Sequence, residues 1–152
     1  MDIPYVETLP IPSTNKDNML KSDVIALRLI SISRDKLSTR KDLLDWLKVE
    51  FEIAEPNMKL QNPIGLDSDA FVQEVKKGRG KSKDLSSPQL KKLRDEYARV
   101  IDPARMLADE AKGLELQIHD LVNEAYGLTP EEVRLMWDTA PPRMPIARPP
   151  GI

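Results

Sequence analysis

Between residues 86 and 127 the apolar side chains Leu90, Leu93, Tyr97, Val100, Ala104, Leu107, Ala111, Leu114, Ile118, Leu121 and Ala125 step by threes and fours without a slip. That is the heptad period of a helix carrying one continuous apolar seam. A strand cannot use it, because neighbouring residues of a strand face opposite ways. Charged residues fill most of the remaining positions, so the seam must be covered while the other faces meet water. At about 1.5 Å per residue such a helix is roughly 60 Å long, and the rest of the chain must be arranged around it. Pro88 lies in its first turn, where a missing N–H costs nothing. Pro103 falls inside the pattern, where it removes a backbone hydrogen bond and crowds the preceding turn. A kink near residues 100–102 is expected, within one continuous helix because the heptad phase survives it.

The preceding chain offers candidates to cover the seam. Over residues 17–34, Leu20, Val24, Leu27 and Ser31 keep the same step, with Ile25, Leu29 and Ile32 widening the face; this helix is the expected cover. Ser38 then stands where a cap belongs, before a second helix over residues 39–51 with Leu43, Leu44, Trp46, Leu47 and Phe51 inward and Trp46 read as core. Pro56, Asn57, Asn62, Pro63 and Gly65 mark a loop. Asp67 caps a third helix carrying Ala70, Phe71, Val72 and Val75. Past the long helix, Gly127 acts as a stop, and Thr129, Pro130 and Glu132 form a capping box before Val133, Met136 and Trp137. The fold class is therefore all-α: a helical bundle around one long, kinked, heptad-patterned helix. The helical domain covers residues 14–139, between extended segments at 1–13 and 140–152 whose prolines disfavour helix.

Composition narrows the chemistry. Lys and Arg number 23 against 25 Asp and Glu, so there is no overall pull toward nucleic acid or anionic membrane, and any such contact must be local. The chain has no cysteine and one histidine, which argues against thiolate metal sites and histidine-based triads. No apolar run reaches the length of a membrane span and no secretory signal is recognisable, so a cytoplasmic protein is expected.

Asp67, Asp69, Glu74 and Lys76 stand in the order of a metal-dependent nuclease's carboxylates and lysine. That chemistry needs the carboxylates to converge on a metal ion. The same spacing fits a capped amphipathic helix and no second acidic cluster supports it, so neither a catalytic residue nor a metal site is assigned. His119, beside the seam residue Ile118 on a charged helix, reads as solvated. There is no glycine-rich phosphate loop and no serine elbow. The cations Lys76, Lys77, Arg79, Lys81 and Lys83, interleaved with Gly78 and Gly80, read as an exposed loop able to bind a DNA backbone. Clustered cations release counterions on meeting phosphates.

Several stretches carry a resemblance. Thr39-Arg40-Lys41-Asp42-Leu43-Leu44-Asp45-Trp46-Leu47, Lys59-Leu60-Gln61-Asn62-Pro63, Leu66-Asp67-Ser68-Asp69-Ala70-Phe71 and Leu85-Ser86 resemble the C-terminal region of large bacterial adenine-specific DNA methyltransferases, including Eco57I-like restriction-modification enzymes. Leu121-Val122-Asn123-Glu124-Ala125-Tyr126-Gly127-Leu128-Thr129-Pro130-Glu131-Glu132-Val133 is similar to the closing motif of such enzymes. Pro4-Tyr5-Val6-Glu7-Thr8-Leu9-Pro10-Ile11-Pro12 resembles the exit from their target recognition domain. The family's Asn/Asp-Pro-Pro-Tyr/Phe motif does not occur here, since Pro141-Pro142 is followed by Arg143 and Pro149-Pro150 by Gly151. The resemblance thus implies a non-catalytic module with no cofactor of its own, S-adenosylmethionine and magnesium belonging to the parent enzyme. Its implied partners are the parent's methyltransferase and target recognition domains and double-stranded DNA. The rival expectation is an interaction module unrelated to DNA, a homo- or heterodimeric coiled coil through the seam.

Overall fold

The computed structural model describes residues 12, 15–80, 84–141 and 148. The five helices are α1 (Lys16–Phe51), α2 (Met58–Gln61), α3 (Ser68–Gly78), α4 (Ser87–Tyr126) and α5 (Pro130–Asp138), with a 3-10 turn at Pro63–Gly65. All regular structure among the described residues is helical, as the periodicities require.

α1 corrects the expectation of two helices separated near Ser38. The intervening Arg34, Asp35, Lys36 and Leu37 include neither proline nor glycine, so nothing ends the backbone ladder. Propagating an existing helix costs far less than nucleating a second one, and Ser38 is absorbed as an ordinary helical residue. The helix starts at Asn15, whose Oδ1 accepts the Asn18 N–H at 2.7 Å. It ends where Glu52 turns left-handed at φ 59° and the Ile53 N–H returns to the Leu47 carbonyl at 3.4 Å.

Continuity also sets the phase of α1. Along α1, Asn18, Ser22, Ile25, Leu29 and Ile32 step by threes and fours and each is buried or half-buried; Lys36, one heptad before the core residue Leu43, is exposed, and the buried face resumes at Thr39 and Leu43. Leu20, Val24 and Leu27, expected to cover the seam, instead point outward at 63–67 % exposure. Two adjacent stripes of α1 carry the same period, and packing selected the one in register with Leu43.

The chain forms two compact units, Ile30–Ala111 being one and the residues up to Leu29 with those from Lys112 onward the other. The first holds the main core. Leu43, Leu47 and Phe51 of α1 meet Leu60 of α2, Phe71, Val72 and Val75 of α3, and Leu93, Tyr97, Val100 and Ile101 of α4. Each fully buried aliphatic or Phe side chain contributes about 1.5–3 kcal/mol. α1 and α4 run antiparallel here: Lys92, near the start of α4, pairs with Glu50, near the end of α1, at 2.6 Å, while Leu107 shares a cleft with Lys36. The seam of α4 is thus covered in this unit by residues 43–51 and α3, not by residues 17–34. Trp46 stands edge-on to Phe51 at 5.1 Å, at the margin of this core.

None of the eleven seam residues of α4 is exposed, and the helix passes through Pro103 unbroken. In the other unit, Gly127 at φ 63° closes α4, and Thr129 starts α5 with the expected capping box. Val133 is buried and Trp137 half-buried, whereas Met136, expected to face inward, is 54 % exposed. The Trp137 ring lies 5.6 Å from that of His119, whose ring also meets the Asn123 carboxamide. His119 is therefore packed under α5 rather than solvated. The expected extended segments at 1–13 and 140–152 fall outside the described residues except for Pro12, Ala140, Pro141 and Arg148.

Candidate functional site

The residues ordered like a nuclease site do not converge. Asp67 Oδ1 accepts the Ala70 N–H at 2.7 Å as the cap of α3. Asp69 meets Arg94 at 2.9 Å on the surface. Glu74 lies on the buried face of α3, where Oε1 accepts from Lys77 Nζ at 2.8 Å and Lys59 Nζ at 3.4 Å, and Oε2 from Asn57 Nδ2 at 2.9 Å. Asn57 simultaneously caps α2 through Oδ1, which accepts the Leu60 N–H at 3.0 Å. The hydrogen bonds from Lys77 and then Asn57 hold the Glu74 carboxyl down to about 2, against the opposing effect of its burial. The cluster is a polar staple joining the α2 loop to α3. Among the described residues no group of three or more histidine, cysteine or carboxylate side chains is placed to hold a metal ion.

The five cations assigned to a DNA backbone divide. Lys76 is exposed, and Lys77 is engaged by Glu74 while its side chain remains 66 % exposed. Arg79 turns inward, its guanidinium 5.8 Å from the centroid of the Phe51 ring, with Nη1 buried and unpartnered among the described residues. Lys81 and Lys83 lie outside the described residues. Lys76 and Lys77 also sit in the last turn of α3, where they complement the negative end of the helix dipole. The same carbonyl-rich end disfavours a phosphate.

A second polar arrangement had no signature in the sequence. The Tyr97 hydroxyl donates to the Leu66 carbonyl at 2.8 Å and accepts from Arg105 Nη2 at 2.9 Å. Arg105 also donates to the Leu66 carbonyl at 2.9 Å and to the Ile64 carbonyl from Nη2 at 3.0 Å and Nε at 3.2 Å. The bond to Tyr97, ahead of the nearby Asp102 and Asp109 charges, pushes the Arg105 pKa up. Tyr97 and Arg105 stand eight residues apart on α4, and only the position of the 3-10 turn reveals that they share a target.

The other unit exposes apolar surface. Leu20 and Val24 of α1 and Leu121 of α4 flank an open groove of about 550 Å³ with Lys21, Asp120 and Glu124 at its rim. Leu27 continues the stripe one turn further along α1. Exposed aliphatic side chains at helical spacing beside a groove have the form of a helix-docking surface.

A family model described as a domain of unknown function, DUF8810, matches residues 15–122, from the cap of α1 to near the end of α4. No curated protein and no solved structure matches the chain.

Proposed function

The chain belongs to the family of the domain of unknown function DUF8810, and we propose that it is a non-catalytic helical module of a bacterial adenine-specific DNA methyltransferase or restriction-modification system, docking onto the enzyme's other domains. The observation that carries the docking role is the outward Leu20, Val24 and Leu27 stripe, three large aliphatic side chains more than 60 % exposed on one face of α1. The resemblance of residues 39–47, 59–63, 66–71 and 121–133 to the C-terminal region of those enzymes supplies the identity of the host. The module scaffolds target recognition, and cofactor and methyl transfer belong to the host.

DNA contact is the second role in this reading. It falls to Lys76 and Lys77 together with Lys81 and Lys83, because Arg79 is occupied on Phe51. The rival reading is a dimeric coiled coil through the α4 seam, of which Leu93, Tyr97 and Val100 are buried within the chain while its residues from Ala104 to Ala125 are half-buried and Leu121 borders the open groove. The α1 stripe is the other surface open to self-association. No described helix is long and apolar enough to cross a membrane, and the proposed compartment is the cytoplasm, where the host enzyme meets DNA.

Co-expression with the methyltransferase domains encoded beside or upstream of this sequence tests the reading. Co-elution with them, lost when Leu20, Val24 and Leu27 are replaced by glutamine, is the expected result. An adjacent frame unrelated to methyltransferases, or co-elution indifferent to the triple change, would overturn it.

A further inference from the structure

Within the unit Ile30–Ala111 an open cleft of about 460 Å³ lies between α1, the Gln61–Ile64 turn and α4. Its floor is apolar and closed: Leu43, Pro63, Val100 and Ile101 are buried. One rim is a face of α1 carrying Ser33, Lys36 and Arg40; the opposite rim carries the Asn62 carboxamide. The wall at Ile64 is held by Arg105, which grips the Ile64 and Leu66 carbonyls, so the cleft is preformed.

The charged groups lining it are Lys36 and Arg40, both cations, one helical turn apart. Arg40 reaches only Gln61 Oε1, at a long 3.3 Å. Ser33, Lys36 and Asn62 are exposed along the cleft, and Thr39 is half-buried beside them. Among the described residues no carboxylate lines this cleft; Asp42 and Glu96 lie in an adjoining cleft that Lys36 also borders, and both act on Arg99. An apolar floor, a cationic rim and exposed hydrogen-bonding side chains over a volume of this size are the features of a binding site.

From this we infer that the cleft binds an extended peptide segment of a partner protein in which a carboxylate side chain neighbours an aliphatic or aromatic one. The carboxylate meets Lys36 and Arg40 and the apolar side chain fills the floor over Leu43 and Ile101. The Asn62 carboxamide offers a donor and an acceptor to match a peptide group. A DNA backbone supplies the charge but nothing for the floor. This site is separate from the α1 stripe that carries the proposed docking, and it stands whether or not the host is a methyltransferase.

The test is fluorescence anisotropy of the full chain with a labelled nonapeptide alternating Glu with Leu and Phe and ending in proline to keep it extended. Saturable binding is expected, weakened about tenfold by Lys36→Glu/Arg40→Glu and by replacing the peptide's Glu with Gln. Both protein positions are exposed, so the fold is retained, which circular dichroism and the melting temperature verify. Lys41→Glu/Lys48→Glu carries the same charge change elsewhere on α1 and should leave binding unaltered. No saturation by about 1 mM, equal binding of the Gln peptide, an equal loss in the Lys41/Lys48 variant, or displacement by duplex DNA at matched salt overturns the inference.

Discussion

The hydroxyl of Tyr97 and the carbonyl of Leu66 meet at 2.8 Å, and the guanidinium of Arg105 closes on both atoms at 2.9 Å. This three-way contact fastens the irregular segment after α2 to α4, alongside the packing of Pro63 and Leu66. Tyr97→Phe keeps the ring against Phe71, 5.8 Å away, and removes only the hydroxyl. The expected cost is about 1–2 kcal/mol, read from the urea midpoint, because a half-buried carbonyl and a guanidinium each lose a partner. A change indistinguishable from zero would show that the clasp is not stabilising.

Glu74 predicts an acid limb. Its folded pKa is about 2 against an ordinary 4.5. A depressed carboxylate contributes stability that is complete above the unfolded value and is lost as pH falls from about 4.5 toward about 2. Wild type and Glu74→Gln should therefore differ most at neutral pH and converge as pH approaches 2. Urea midpoints between pH 2 and 7 measure this, and parallel curves would remove the staple from the account.

Core and stripe should separate cleanly. Leu47→Ala or Leu93→Ala, at fully buried positions, is expected to cost about 2–5 kcal/mol. Leu27→Ala, at 67 % exposure, is expected to change stability by no more than about 0.5 kcal/mol. Thermal melts of the isolated chain check both, and a large loss at Leu27 would mean that the stripe is covered within the chain itself.

Two glycines on helices should respond with opposite sign. A Cβ at Gly113, inside α4, meets nothing within 4 Å, so Gly113→Ala should gain about 0.5–1 kcal/mol by restricting the unfolded backbone. A Cβ at Gly78 would stand 3.1 and 3.3 Å from Cδ1 and Cγ2 of Ile53, which is 1 % exposed. Overpacking a buried side chain costs about 1–3 kcal/mol, more than the helix gains there, so Gly78→Ala should lower the melting temperature while Gly113→Ala raises it.

The helices themselves were legible because their information is local. The α4 seam from Leu90 to Ala125, the Asp67 cap, the Thr129 capping box and the Gly127 stop each depend on residues within a few positions of one another, and each was found in place. Seven-residue periodicity survives even Pro103. The break expected at Ser38 failed for the same local reason read too strongly: a residue able to cap a helix does not interrupt one that is already running.

Choices between equivalent surfaces were not legible. α1 offers two apolar stripes of the same period, Leu20-Val24-Leu27 and Ile25-Leu29-Ile32, and only packing separated them, with Ile25 and Ile32 buried and Leu20, Val24 and Leu27 left in water. The candidate site follows the same division. Lys76 and Lys77 could be read as a cationic pair from their order alone, but the inward turn of Arg79 onto Phe51, the reach of Asn57 and Lys59 to Glu74, and the hold of Tyr97 and Arg105 on the Leu66 and Ile64 carbonyls join residues 15 to 41 positions apart or depend on a ring delivered from another helix. A pattern along the chain specifies which faces need cover. Which side chains supply it is settled when the helices pack, because burial is a property of the assembled surfaces and not of any one of them.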